Sequence, residues 1–130
     1  MATLIRQSVT FKATPHEVYE ALMDSRKHTR FTHEPARISR KVGGAFSAYS
    51  GYITGTNLEL VPDRKIVQAW HAVDWPEGHM SRVTFRLSRV KGGTRLAFTH
   101  SGVPESEVAS LKQGWIESYW LPLKAMLEKA

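Results

Sequence analysis

At 130 residues, with 42% of positions hydrophobic and 23% charged, the chain is sized for one globular core and is too short for two ordinary domains. Four Trp, four Tyr and five Phe exclude a disordered chain, no stretch approaches the ~20 apolar residues of a membrane span, and the lack of Cys removes disulfides and thiolate chemistry. The net charge of +6 is concentrated in two clusters, at residues 26–41 and 82–95. No nucleic-acid motif accompanies them, so the expectation is a solvated surface or a face for an acidic protein, without nucleic acid.

Ile5, Val9 and Phe11 alternate with Arg6, Ser8, Thr10 and Lys12, the period-2 pattern of a half-buried strand. Thr14 ahead of Pro15, with Glu17 in the first turn, starts a short helix whose apolar stripe is Val18, Tyr19, Leu22 and Met23. It runs to about residue 24, and a further turn or two follows near 26–31. Strands are then expected at 37–40, 45–49, 52–60, 65–73, 80–90 and 94–101, separated by Gly43-Gly44, Gly51, Pro62-Asp63, Pro76-Glu77-Gly78 and Gly92-Gly93. A two-residue hairpin loop at Gly92-Gly93 opposes Leu87 to Phe98 and Phe85 to His100, and turns Arg82, Thr84, Arg86, Arg95 and Thr99 to the other face. The last segment places Val108, Leu111, Trp115, Tyr119, Leu123 and Met126 at helical spacing. Pro122 cannot donate a backbone bond to Ser118, which predicts a kink at 118–121, and Gly114 weakens the same helix. So apolar a helix needs cover, and only the sheet is large enough to curl around it. The expected architecture is α+β: a curved antiparallel sheet gripping a long C-terminal helix, with two short helices after the first strand.

Phe31-Thr32-His33-Glu34-Pro35-Ala36, Gly43-Gly44 with Phe46, Trp75-Pro76-Glu77-Gly78-His79, Gly102 with Pro104, and Gln113-Gly114-Trp115 followed by Tyr119 occur in this order along nearly the whole chain. Together they resemble the C-terminal domain of the activator of the Hsp90 ATPase, a family of the START-like (SRPBCC) superfamily. The resemblance implies a single START-like domain over residues 1–130, the helix-grip fold also seen in birch-pollen-allergen-like proteins, and an apolar cavity between sheet and helix. It further implies an Hsp90-type chaperone as partner. The eukaryotic activator makes its principal chaperone contact through a separate N-terminal domain, to which none of these motifs corresponds, so fold transfers more readily than function.

Sheet alternation and the helical stripe turn Trp70, Phe85, Leu87, Phe98, Trp115 and Tyr119 toward one another as walls for a small apolar ligand. His100, on the same face, is a candidate hydrogen-bond partner for that ligand or for Tyr119. Pro76 and Gly78 stiffen the loop that carries Trp75 and His79, a cavity-mouth or partner-contact element alongside Arg82, Arg86 and Arg95. The six His include no pair three or four apart, which predicts no metal site. Ser101 and His100 lack a companion acid, and Gly43-Gly44 lacks the Lys and Ser or Thr of a phosphate loop, which predicts neither a catalytic constellation nor a cofactor. The expected function is a non-enzymatic, chaperone-associated binding module, cytoplasmic because no secretory signal pattern opens the sequence, and monomeric or weakly homodimeric. The alternative is a carrier or sensor of a small apolar ligand; a third reading is an enzyme acting on an apolar substrate with His100 as base.

Overall fold

Period-2 alternation builds one seven-stranded sheet in the computed structural model, which describes residues 4–128. The strands are β1 (Ile5–Phe11), β2 (Arg37–Ile38), β3 (Ala45–Ala48), β4 (Ile53–Val61), β5 (Lys65–Ala72), β6 (Ser81–Val90) and β7 (Gly93–Ser101). Each pairs antiparallel with its neighbour in the order β1-β7-β6-β5-β4-β3-β2. Helices α1 (Pro15–Met23) and α2 (Ser25–Thr32) follow β1. The C-terminal helix comprises α3 (Val108–Trp115), a π-helical turn Ile116–Trp120 and α4 (Leu121–Leu127). This is the helix-grip arrangement expected from the sequence. No helix among the described residues is long and apolar enough to cross a membrane.

The capping chemistry at Thr14 forms as the sequence predicts. Thr14 Oγ1 accepts the Glu17 N–H at 3.1 Å and Glu17 Oε1 accepts the Thr14 N–H at 2.8 Å, so two donors that a helix start leaves unpaired are satisfied reciprocally. Asp24 then ends α1 and caps α2, accepting from Lys27 N–H at 3.0 Å. β2 is only two residues long, against the four expected. Beyond Ile38 the chain is held by Asn57, fully buried, whose Nδ2 donates to Ser39 O at 2.6 Å and Lys41 O at 3.0 Å. A side-chain amide thus takes over from the strand ladder.

The β6–β7 hairpin departs from the expected register by two residues. Its loop is Lys91-Gly92, with Gly92 at a φ of 83°, and Gly93 is already in β7 opposite Val90. Phe85 therefore faces Phe98, Leu87 faces Leu96 and Val83 faces His100. Gly93 belongs in the strand because β1 passes too close for any side chain: a Cβ there would lie 1.9 Å from Phe11 O. A slip of two keeps every residue on its own face, so the inner and outer sets are as expected.

In the C-terminal helix the expected kink is a π turn, in which Leu121 N–H bonds to Ile116 O. Pro122 leaves Ser118 O without its helical donor, and the Tyr49 hydroxyl donates to it at 3.2 Å. The wider turn brings residues five apart onto one face, so Trp115 and Trp120 stack with centroids 5.7 Å apart at 20°. Trp120 is consequently buried, and its Nε1 donates to Gln7 Oε1 at 2.7 Å. A stripe drawn at 3.6 residues per turn passes it by.

Candidate functional site

A cavity of about 400 Å³ opens between the C-terminal helix and the β4–β5 end of the sheet. From the sheet, Ile53, Trp70 and Ala72 form its floor; Tyr49 and Tyr52 in the β3–β4 turn close one side, and Trp75 in the β5–β6 loop another. From the helix come Leu111, Trp115 and Tyr119 together with Ser110, Gly114 and Ser118, which stand four apart and present little or no side chain. A Cβ on Gly114 would meet nothing within 4 Å. The space exists because three small residues line the helix where it crosses the sheet. At the mouth lie Glu34 and Glu107.

Of the expected wall residues, Trp70, Trp115 and Tyr119 line this cavity and the others do not. Phe85 borders only a void of about 20 Å³ deeper in the core. Phe98 packs on Trp115 and Trp120, with centroids 4.4 and 5.1 Å away, and Leu87 lies at the far end of the sheet near Thr14 and Pro15. The predicted wall set thus spans a core that is filled over most of its length. Trp115 both packs on Phe98 and lines the cavity.

His100 is fully buried and lines neither the cavity nor the deeper void. Its partner is not Tyr119. The Trp115 indole N–H donates to Nδ1 at 3.1 Å, so Nδ1 is the acceptor and Nε2 carries the proton, given to Ser81 Oγ at 2.8 Å; Ser81 in turn donates to Trp70 O at 2.8 Å. Every polar atom of this chain is satisfied with the imidazole neutral, and burial pushes the His100 pKa down to about 3. Tyr119 is instead 2.9 Å from Nε2 of His28, a second buried imidazole, whose pKa burial lowers to about 4. His28 Nδ1 has no partner among the described residues. The sequence signal for His28 was faint: it stands three residues before Phe31 on the single apolar edge of a very polar helix.

Trp75, expected at a cavity mouth or a partner contact, lines the cavity. Its ring is buried rather than offered to a partner, packed on Trp70 at 5.4 Å and edge-on to His71 and His79 at 5.9 and 5.5 Å. The loop folds back over the sheet end because His79 ties it down, donating from Nε2 to Gly102 O at 2.8 Å, while His71 Nδ1 donates to His79 O at 2.7 Å. Val73, Asp74, Pro76, Glu77, Gly78 and Met80 of this loop remain exposed.

Arg82, Arg86 and Arg95 are exposed on the outer face of the sheet, where β1 adds Arg6 beside them. Arg6, Arg86 and Arg95 frame a shallow hollow floored by Ala97, and Arg95 Nε donates to Ser8 Oγ at 3.1 Å. None of the four arginines is ion-paired among the described residues.

Comparison with known proteins places this geometry. Residues 12–128 match the family described as activator of Hsp90 ATPase homolog 1-like protein. The human activator of 90 kDa heat shock protein ATPase homolog 1 is 33% identical over 115 residues, 88% of this chain and 34% of that protein. The chain therefore spans about a third of the length of that curated relative. The crystal structure of an HSP90 activator from Plasmodium falciparum superposes with a TM-score of 0.89 at 28% identity, covering 96% of both chains. The solution structure of the Aha1 dimer from Colwellia psychrerythraea shares the fold, with a TM-score of 0.85 at 24% identity over 97% of this chain and 96% of that one. With a helix-grip sheet, a family match over nearly all of its length and a human relative at one-third identity, the chain belongs to the Hsp90 ATPase activator homolog 1-like family.

Proposed function

We propose that this domain is a non-enzymatic binding module that associates with an Hsp90-type chaperone in the cytoplasm, meeting an acidic surface of the chaperone with the outer face of its sheet. The observation that carries the reading is the group of exposed arginines, Arg6, Arg82, Arg86 and Arg95, on one face of β1, β6 and β7. Such a face steers an acidic partner and makes association sensitive to salt. Support also comes from the relatives, since the human and Plasmodium falciparum proteins are named as activators of this chaperone. Docking alone is proposed, because the chain covers only about a third of the human protein. Replacing Arg82, Arg86 and Arg95 together by Gln should slow association with the chaperone and flatten its salt dependence while the melting curve is unchanged. Equal association rates for parent and triple variant at low salt would remove this face from the account.

A second reading, carriage or sensing of a small ligand with an apolar body, is favoured by the aromatic-walled cavity of about 400 Å³. An environment-sensitive apolar dye should bind the folded parent, and a filling substitution, Gly114→Leu, should exclude it. Dye uptake equal in both proteins sinks this reading. The enzymatic reading finds no support at His100, whose two ring nitrogens are both engaged inside the core.

A further inference from the structure

The chain carries 18 Lys and Arg against 12 Asp and Glu, yet the lining of the cavity includes two carboxylates and no Lys, Arg or His. Glu34 and Glu107 stand at its mouth, and Glu34 Oε1 accepts from Ser50 Oγ at 3.4 Å. Tyr52, which lines the cavity, donates from Oη to Asp74 Oδ1 at 2.8 Å. Inside, the walls are the faces and edges of Trp70, Trp75, Trp115, Tyr49 and Tyr119. Trp70 is 5.4 Å from Trp75 and 5.8 Å from Trp115, and Tyr119 is 4.6 Å from Trp115 and 6.2 Å from Tyr49, all centroid to centroid and none face-to-face parallel. An aromatic ring attracts a cation where its face is turned to it, and the rim adds formal negative charge.

The geometry points to a ligand class: the cavity takes a small organic cation, an ammonium group carried on an apolar body, with the body among the tryptophans and the charge toward Glu34 and Glu107. This rests on the second reading above and names the chemistry of its ligand. The basic outer face of the sheet is a separate surface built from β1, β6 and β7, which contribute no residue to the cavity lining. An anionic or phosphate-bearing ligand would meet two carboxylates at the mouth with no counter-charge in the lining, and a neutral apolar ligand would leave those carboxylates unused.

Benzyltrimethylammonium, its neutral carbon isostere neopentylbenzene and the anion phenylmethanesulfonate separate the outcomes. Binding is read by tryptophan fluorescence and by the indole N–H resonances of Trp70, Trp75 and Trp115. The cation should bind at least about tenfold more tightly than the isostere, with the sulfonate weakest. Glu34→Gln combined with Glu107→Gln should erase most of that preference while leaving the isostere's affinity unchanged. Both positions are at the rim, so this variant should fold; Gly114→Leu, checked by its circular dichroism, should exclude all three probes. Equal affinity for cation and isostere overturns the cationic class and leaves the cavity reading standing, and a preference that survives the double Gln variant overturns the placement of the charge toward Glu34 and Glu107. If none of the three perturbs the indole signals at millimolar concentration, the cavity reading falls too.

Discussion

Lowering the pH from about 8 to about 5 should remove roughly 4 kcal/mol of folding stability, and the origin is two imidazoles that the fold holds neutral. His100 accepts from the Trp115 N–H at Nδ1, so a second ring proton would set donor against donor in a site walled by Trp70, Phe98 and Trp115. His28 is enclosed by Phe31 and Tyr119. Burial lowers the pKa of His100 to about 3 and that of His28 to about 4, from the ordinary imidazole value of 6.5. In the unfolded chain both take up a proton as the pH falls through 6.5, whereas the folded chain stays neutral until the lowered values are reached. The unfolded state therefore binds more protons over that window, and stability is full above about 6.5 and declines below it. At pH 5 each histidine contributes about 2 kcal/mol to the loss, a figure set almost wholly by the unfolded pKa and insensitive to how far below 5 the folded value lies. Glu17 and Asp24, whose pKa values are lowered by backbone hydrogen bonds, contribute stability above their ordinary values of 4.5 and 3.8 and lose it only at lower pH, so they do not obscure this range. Urea titrations at the two pH values should show the midpoint falling by about 2 M. His100→Gln retains an acceptor for Trp115 and a donor for Ser81; it should be less stable throughout but lose only about half as much on acidification. A loss under about 1 kcal/mol for the parent, or His28 and His100 ring signals titrating near 6.5, would refute the reasoning.

Three substitutions probe the C-terminal helix. Trp115, buried against Phe98, Trp70 and Trp120, should cost about 3–5 kcal/mol on replacement by Ala, and a loss below about 1 kcal/mol in denaturant melts would show the helix is not gripped. Gly114→Ala adds a methyl where nothing lies within 4 Å of it and should stabilise by about 0.5–1 kcal/mol; a lower melting temperature would mean the glycine is needed for close approach after all. Tyr49→Phe removes the donor that Pro122 makes necessary at Ser118 O and should cost about 1 kcal/mol, whereas an unchanged midpoint would show that the carbonyl needs no partner.

What a residue does with its immediate neighbours in the chain could be read directly. The Thr14 capping box, the alternation that sorts Arg82, Arg86 and Arg95 from Val83, Phe85 and Leu87, and the break imposed by Pro122 all depend on local periodicity or on one missing donor. The grip followed, because so apolar a helix has one partner large enough to cover it. Other features depend on what lies opposite. Gly92-Gly93 admits two hairpin registers, and the choice is made by Phe11 O, 82 positions away in sequence and within 1.9 Å of where a Cβ would sit on Gly93. The form the helix break takes is likewise tertiary: Tyr49 satisfies the freed carbonyl, the extra residue goes into a π turn, and Trp120 swings inward beside Trp115. Which aromatics face empty space and which fill it is decided by where Ser110, Gly114 and Ser118 cross the sheet, since a cavity is the difference between two surfaces and neither one alone contains it. The same holds for Trp75 and His100. Their chemistry is visible in the sequence, but burial and hydrogen-bond partners are properties of the elements that close over them.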